Sequence, residues 1–109
     1  MAYNKDKLKT IFLKAWDNCS DAPSLHTRIC KESVKSMFNA INTIHDEKIT
    51  TDEISRVLHS GIIFCNTYSK KSQTEQGRAM RSLYKKSCLL GINLTINELT
   101  KNHIILDDF

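Results

Sequence analysis

The residues best suited to chemistry are four cysteines, Cys19, Cys30, Cys65 and Cys88. No two of them form the C-x-x-C pair typical of zinc ribbons and thioredoxin-like proteins. All four lie on or beside apolar stripes, so we interpret them as small core residues with buried free thiols, although an even number would also permit two disulfides. The N-terminal segment lacks the apolar run of a secretory signal. Together these features predict a cytoplasmic protein.

One pair of residues has the spacing of metal ligands. His26 and Cys30 stand four residues apart, a spacing that can ligate one ion from a helix. Two further ligands would have to come from elsewhere in the chain, for example His59 or Cys65, and nothing in the spacing indicates them. The sequence therefore predicts neither a metal nor another cofactor.

Catalytic patterns are also weak. The glycines Gly61, Gly77 and Gly91 lie far apart, so no glycine-rich phosphate loop is present in the sequence. The acidic pairs Asp46-Glu47 and Asp52-Glu53 are explained by loop solvation and by the partial positive charge of a helix N-terminus. We expect a protein that is not an enzyme.

Charge is concentrated in one segment. The chain carries a formal net charge of +4. Residues 70–86 contain six lysines and arginines and one glutamate, a net charge of +5, which leaves −1 for the rest of the chain. The sequence predicts a macromolecule-binding face in this segment, made of Lys70, Lys71, Gln73, Arg78, Arg81, Lys85 and Lys86.

Three interpretations of this basic segment remain open. A row of cations on one side of a helix is suited to an acidic protein partner. The same row neutralises phosphates in nucleic-acid complexes, and glutamine can hydrogen-bond to base edges, so a loose helix-turn-helix is the alternative. An ordinary solvated helix face has the same composition. A second helix-turn-helix candidate places its turn at Gly91 and its recognition helix over Thr95 to Ile105.

The segments that carry these residues are predicted to be helices. Apolar residues recur with a 3.6-residue period over 8–19, over 24–44 and again from Ile54 to Tyr68. Thr50 and Glu53 have the spacing of a capping box at the start of the third helix. The run 61–65 is rich in β-branched residues and would also suit a buried strand, but the helical period continues through Gly61.

The last third of the chain predicts two further helices. A loop over 69–72 precedes the fourth, which has Ser72 and Glu75 as a capping box. Gly91 is expected to end this helix in a left-handed conformation. Thr95 and Glu98 form a third capping box, which predicts a short fifth helix.

We therefore expect an all-α fold, a compact antiparallel bundle of four to five helices over a single domain, 1–109. Most of its buried area should come from Phe12, Trp16, Met37, Phe38, Leu58, Ile62, Leu83 and Tyr84. No apolar run is long enough to cross a membrane, so no membrane partner is expected. The predicted function is that of a small, non-enzymatic inhibitor, adaptor or regulator of a macromolecule, a protein before a nucleic acid.

Overall fold

Helices make up most of the structure, a computed structural model that describes residues 2–21, 24–70 and 75–106. The helices are α1 (Lys5–Asn18), α2 (Ser24–Asn42), α3 (Thr51–Lys70) and α4 (Glu75–Lys101), and the strands are β1 (Ala2–Asn4) and β2 (Lys48–Thr50). A single 3-10 turn, Cys19–Asp21, follows α1. The predicted predominance of helix is confirmed. None of the described helices has the length and apolarity that a membrane crossing requires.

The structure contains two short strands, which the all-α expectation did not include. β1 and β2 pair antiparallel, with Ala2 opposite Thr50 and Asn4 opposite Lys48. Ile49 is the buried middle residue of β2, and its flanking residues are exposed. Strands of three residues are too short to produce a periodic sequence pattern, which explains why the hydrophobic period did not predict them.

The same two strands lead directly into helix N-caps. The Asn4 side chain accepts hydrogen bonds from the backbone N–H groups of Asp6 (2.9 Å) and Lys7 (3.2 Å). At the start of α3, Thr50 Oγ1 accepts from the Glu53 N–H (3.2 Å) and the Glu53 carboxylate accepts from the Thr50 N–H (3.1 Å). The predicted capping box at Thr50 is therefore confirmed. Because the strands are antiparallel, α1 and α3 leave the small sheet at opposite ends.

α3 runs without interruption through the ambiguous segment 61–65, so the helical interpretation is confirmed. Gly61 is buried where α3 meets two other helices. A Cβ atom at Gly61 would lie 2.5 Å from Ile92 Cδ1 and 2.8 Å from Met37 Cγ. The missing side chain therefore permits a close helix contact, and it does not break the helix.

α4 continues past Gly91, so the predicted helix end and the short fifth helix are both wrong. No glycine in the described part of the chain has a positive φ. A Cβ atom at Gly91 would lie 2.6 Å from the Cys30 carbonyl oxygen and would also meet the Ser33 hydroxyl. Gly91 thus serves the packing of α4 against α2, a tertiary role that its local sequence cannot indicate.

The predicted capping box at Thr95 and Glu98 is wrong for the same reason. The Thr95 hydroxyl donates to the Gly91 carbonyl oxygen, one turn back along the helix (2.8 Å). The left-handed residue that ends α4 is His103, with a φ of 61°. The Ile104 N–H donates to the Leu99 oxygen and the His103 N–H to the Thr100 oxygen, which is the Schellman pattern of helix ends.

The buried apolar residues form one cluster with contributions from all four helices and β2. α2 and α4 each pack against all three of the other helices. Of the predicted core residues, Phe12, Met37 and Leu58 are fully buried. The remaining predicted core residues are only half-buried: Trp16, Phe38, Ile62, Leu83 and Tyr84.

Candidate interaction surfaces

All four cysteines are paired, which corrects the expectation of buried free thiols. Disulfides join Cys19 to Cys30 and Cys65 to Cys88, with Cα–Cα distances of 5.8 and 5.5 Å. Each bond links the C-terminal part of one helix, or the turn that follows it, to the next helix. Cysteines on the buried faces of consecutive helices meet when the helices pack, so the even number was the sequence signal for pairing.

The pairing removes the cysteines from the list of nucleophiles and metal ligands. Cys30 and Cys65, the thiols considered for a metal site, are both bonded to sulfur. Within the described residues, no group of three or more histidine, cysteine or acidic side chains could hold a metal ion. The side chain of His26 lies outside the described part.

The basic segment 70–86 is described in part. Lys70 is the last residue of α3, which extends into the predicted loop, and Arg78 lies within α4. Their side chains, and residues Lys71 and Gln73, lie outside the described part. Arg81 is half-exposed, and Lys85 and Lys86 are exposed on α4.

One face of α4 collects most of these cations. Arg78, Arg81 and Lys85 follow one another at intervals of three and four residues on a continuous helix, which places them on the same side. No acidic residue occurs in the sequence between Glu75 and Glu98. Lys86 is exposed and lies about 100° farther round the helix than Lys85, at the border of this side. We call Arg78, Arg81, Lys85 and Lys86 the basic face of α4.

Glu98, the next carboxylate along α4, is buried and already accepts hydrogen bonds from two side chains. Its side chain is 2% exposed. It accepts hydrogen bonds from the Asn18 amide of α1 (3.0 Å) and from the Lys101 ammonium (3.2 Å). This carboxylate joins α4 to α1, and it does not neutralise the basic face, since both of its contacts lie at the other end of the helix.

The structure tests only one of the two helix-turn-helix hypotheses. The candidate with a turn at Gly91 is wrong, because α4 is continuous from Glu75 to Lys101. For the looser candidate, the connection between α3 and α4 over 71–74 lies outside the described residues.

A second surface, which the sequence analysis missed, lies between α1 and α2. It is a groove with a volume of about 250 Å³. We call it the α1–α2 groove and define it by its lining residues, which are Phe12, Leu13, Trp16, Val34, Lys35, Phe38 and Asn39.

Lysines hold positions directly over the aromatic rings of this groove. Lys9 Nζ lies 5.7 Å from the centre of the Phe38 ring, and Lys31 Nζ lies 5.3 Å from the Trp16 ring. Both distances are within cation–π range. Leu13 is 51% exposed although it is large and apolar. Its position outside the buried stripe of α1 was the sequence signal for this surface.

Comparisons of the chain with family models, curated proteins and solved structures find no match.

Proposed function

We propose that the protein is a non-enzymatic helical binding protein, an inhibitor, adaptor or regulator, whose basic face of α4 contacts an acidic protein partner. The observation that carries this proposal is the charge pattern of α4. A continuous helix bears Arg78, Arg81, Lys85 and Lys86, with no acidic residue from Gln76 to Asn97.

Such a surface attracts acidic partners in two ways. Clustered charge of one sign accelerates encounter with the opposite charge, and it disfavours basic partners. The Cys65–Cys88 disulfide fixes α4 to α3 one turn beyond Lys85. A fixed helix presents its cations without first having to become ordered, which favours affinity.

We further infer that the four helices form an antiparallel bundle. Support comes from α2 and α4, each of which packs against the other three helices. The disulfides between consecutive helices suit the same arrangement, because each joins residues only 11 or 23 positions apart in the sequence.

The two disulfides also bear on where the protein works. Disulfides persist in oxidising compartments and are rare in the cytosol. The cytoplasmic location predicted from free thiols therefore has no support from the cysteines, and we propose an oxidising compartment instead. Thiol titration of the unfolded, unreduced protein from its natural source tests this, with no free thiol expected and four contradicting it.

The binding proposal is tested by charge reversal on exposed positions. In pull-downs from the source cells, the wild-type protein should retain a partner that Lys85→Glu/Lys86→Glu loses. The matched control is Lys7→Glu/Lys14→Glu, which changes the net charge equally at exposed positions of α1. It should retain the partner. Equal retention by all three proteins would contradict the proposal.

Nucleic acid is the alternative that the same variants resolve. Fluorescence anisotropy with duplex and single-stranded DNA would be measured at about 50 and 200 mM salt. Binding that falls steeply with salt and disappears in Lys85→Glu/Lys86→Glu would replace the protein partner with a nucleic acid. We expect no such binding.

A further inference from the structure

We propose that the α1–α2 groove is a docking site for an acidic amphipathic helix of a partner protein. This inference goes beyond the proposed function, because it concerns a different surface and does not depend on the basic face of α4. It rests on the shape of the groove, its charge and the nature of its walls.

The groove offers apolar anchor positions. Phe12 and Val34 are buried beneath it, whereas Leu13 is 51% exposed and Trp16 and Phe38 are half-buried. Its volume of about 250 Å³ is below the usual range of small-molecule sites, roughly 300–1,000 Å³. That space suits one or two apolar side chains projecting from a partner rather than a whole cofactor.

The charge around the groove selects the flanking residues of the partner. Ammonium groups stand on both walls, Lys9 on α1 and Lys31 and Lys35 on α2. Among the described residues, no carboxylate lines the groove. A partner whose apolar side enters the groove brings its neighbouring positions close to these lysines. Aspartate and glutamate are favoured there, and lysine and arginine are repelled.

The walls also select the backbone conformation of the partner. Both walls are helical segments whose backbone groups bond within their own helices, so they offer a ligand side chains and no sheet edge. An extended peptide laid there would find no strand to pair with, and only the Lys35 and Asn39 side chains could bond to its N–H and C=O groups. A helix satisfies these groups internally, and its residues at i, i+3, i+4 and i+7 supply the apolar anchors.

The Cys19–Cys30 disulfide holds the two walls at a fixed spacing. Cys19 follows Trp16 by three residues, and Cys30 immediately precedes Lys31. The cation–π pair of Lys31 over Trp16 therefore lies beside the cross-link. A groove fixed in this way does not have to be ordered when the partner binds.

The experiment is a selection from a displayed library of helical peptides with randomised surface positions, using the disulfide-bonded protein as bait. We expect the selected peptides to combine Leu or Phe at helical spacing with an excess of Asp and Glu. Trp16 is the sole tryptophan in the chain. Its fluorescence emission should therefore shift when a selected peptide binds.

Variants then locate the contact. Leu13→Glu and, separately, Lys31→Glu/Lys35→Glu should each weaken binding of the selected peptides by about tenfold or more. Leu13→Ala provides a milder change, and thermal unfolding of each variant checks that the fold is intact. The matched control is Ile63→Glu, at an apolar position of α3 that is 64% exposed. It should bind like the wild type.

Three results would overturn the inference: no enriched peptide, enriched peptides without an acidic excess, or affinity unchanged in Leu13→Glu. Leu13-dependent binding to vesicles of anionic lipid, with no peptide selected, would assign the groove to a membrane surface instead. Lys85→Glu/Lys86→Glu should leave peptide binding unchanged, so failure here and failure of the proposed function are distinguishable.

Discussion

The α1–α2 pair and the α3–α4 pair are cross-linked in the same way and expose different surfaces. Each pair carries one disulfide between consecutive helices. The first pair exposes an apolar groove with lysines over its rings, and the second exposes Lys85 and Lys86 of the basic face of α4. Each link joins its two helices covalently, and outer residues such as Leu13 and Lys85 stay exposed instead of packing in the core.

The largest effect should come from removing the cross-links. The chain-entropy relation gives about 3.4 kcal/mol for a link across 23 residues and about 2.8 kcal/mol for one across 11. We expect Cys65→Ala/Cys88→Ala to lower the free energy of unfolding more than Cys19→Ala/Cys30→Ala, measured by urea denaturation. The reverse order would mean that the two links do not act through loop length.

The contact between α4 and α2, which joins the two helix pairs, should be nearly as sensitive to substitution. Gly91→Ala places a Cβ against the Cys30 carbonyl oxygen, which belongs to a helix backbone and cannot move aside. We expect a loss of about 3 kcal/mol. Gly61→Ala is the matched control, because its nearest contacts are side-chain atoms of Ile92 and Met37, which can shift as backbone cannot, and it should cost about 1 kcal/mol. Equal losses in denaturation would contradict the assignment of Gly91 to a backbone contact.

The contact between α4 and α1 comes next. Glu98→Ala leaves the half-buried Asn18 amide without its acceptor, and we expect a loss of about 2 kcal/mol in free energy of unfolding. Glu98→Gln retains an oxygen that accepts from Asn18, so it should cost clearly less. If the two substitutions were equally destabilising, the Asn18 hydrogen bond would not be the important contact.

The smallest effects belong to the two N-caps, one at the first helix of each pair. Asn4→Ala and Thr50→Ala should each lower the free energy of unfolding by about 1 kcal/mol, since each exposes helix N–H groups without a partner. Asn4→Asp and Thr50→Ser, which keep an accepting oxygen, should recover most of the loss. Thermal denaturation of all four variants is a sufficient measurement.

Local patterns predicted the helices well where local interactions determine them. The 3.6-residue stripes gave α1, α2 and α3, and the Thr50–Glu53 capping box formed as expected. The pattern at Gly91, Thr95 and Glu98 has the same local appearance, yet all three residues make tertiary or intrahelical contacts in the middle or late turns of α4. Local residue type alone cannot distinguish a helix end from a close helix crossing.

The interaction surfaces were predicted less completely, because they depend on which helices meet. The basic face of α4 is carried by one helix, so its charge could be read from consecutive residues. The α1–α2 groove needs Leu13 and Trp16 beside Phe38, which is more than 20 residues away in sequence. The disulfide pairs are similarly nonlocal, and only the even number of cysteines pointed toward them.

The position of α4 in the chain has a consequence for synthesis. α4 contacts each of the other three helices and is the last of them to leave the ribosome. Until it arrives, Ser33 and Met37 of α2 lack the neighbours that Gly91 and Ile92 bring to them. The core of the growing chain therefore stays incomplete, with apolar faces of α1 to α3 unburied, until α4 has emerged.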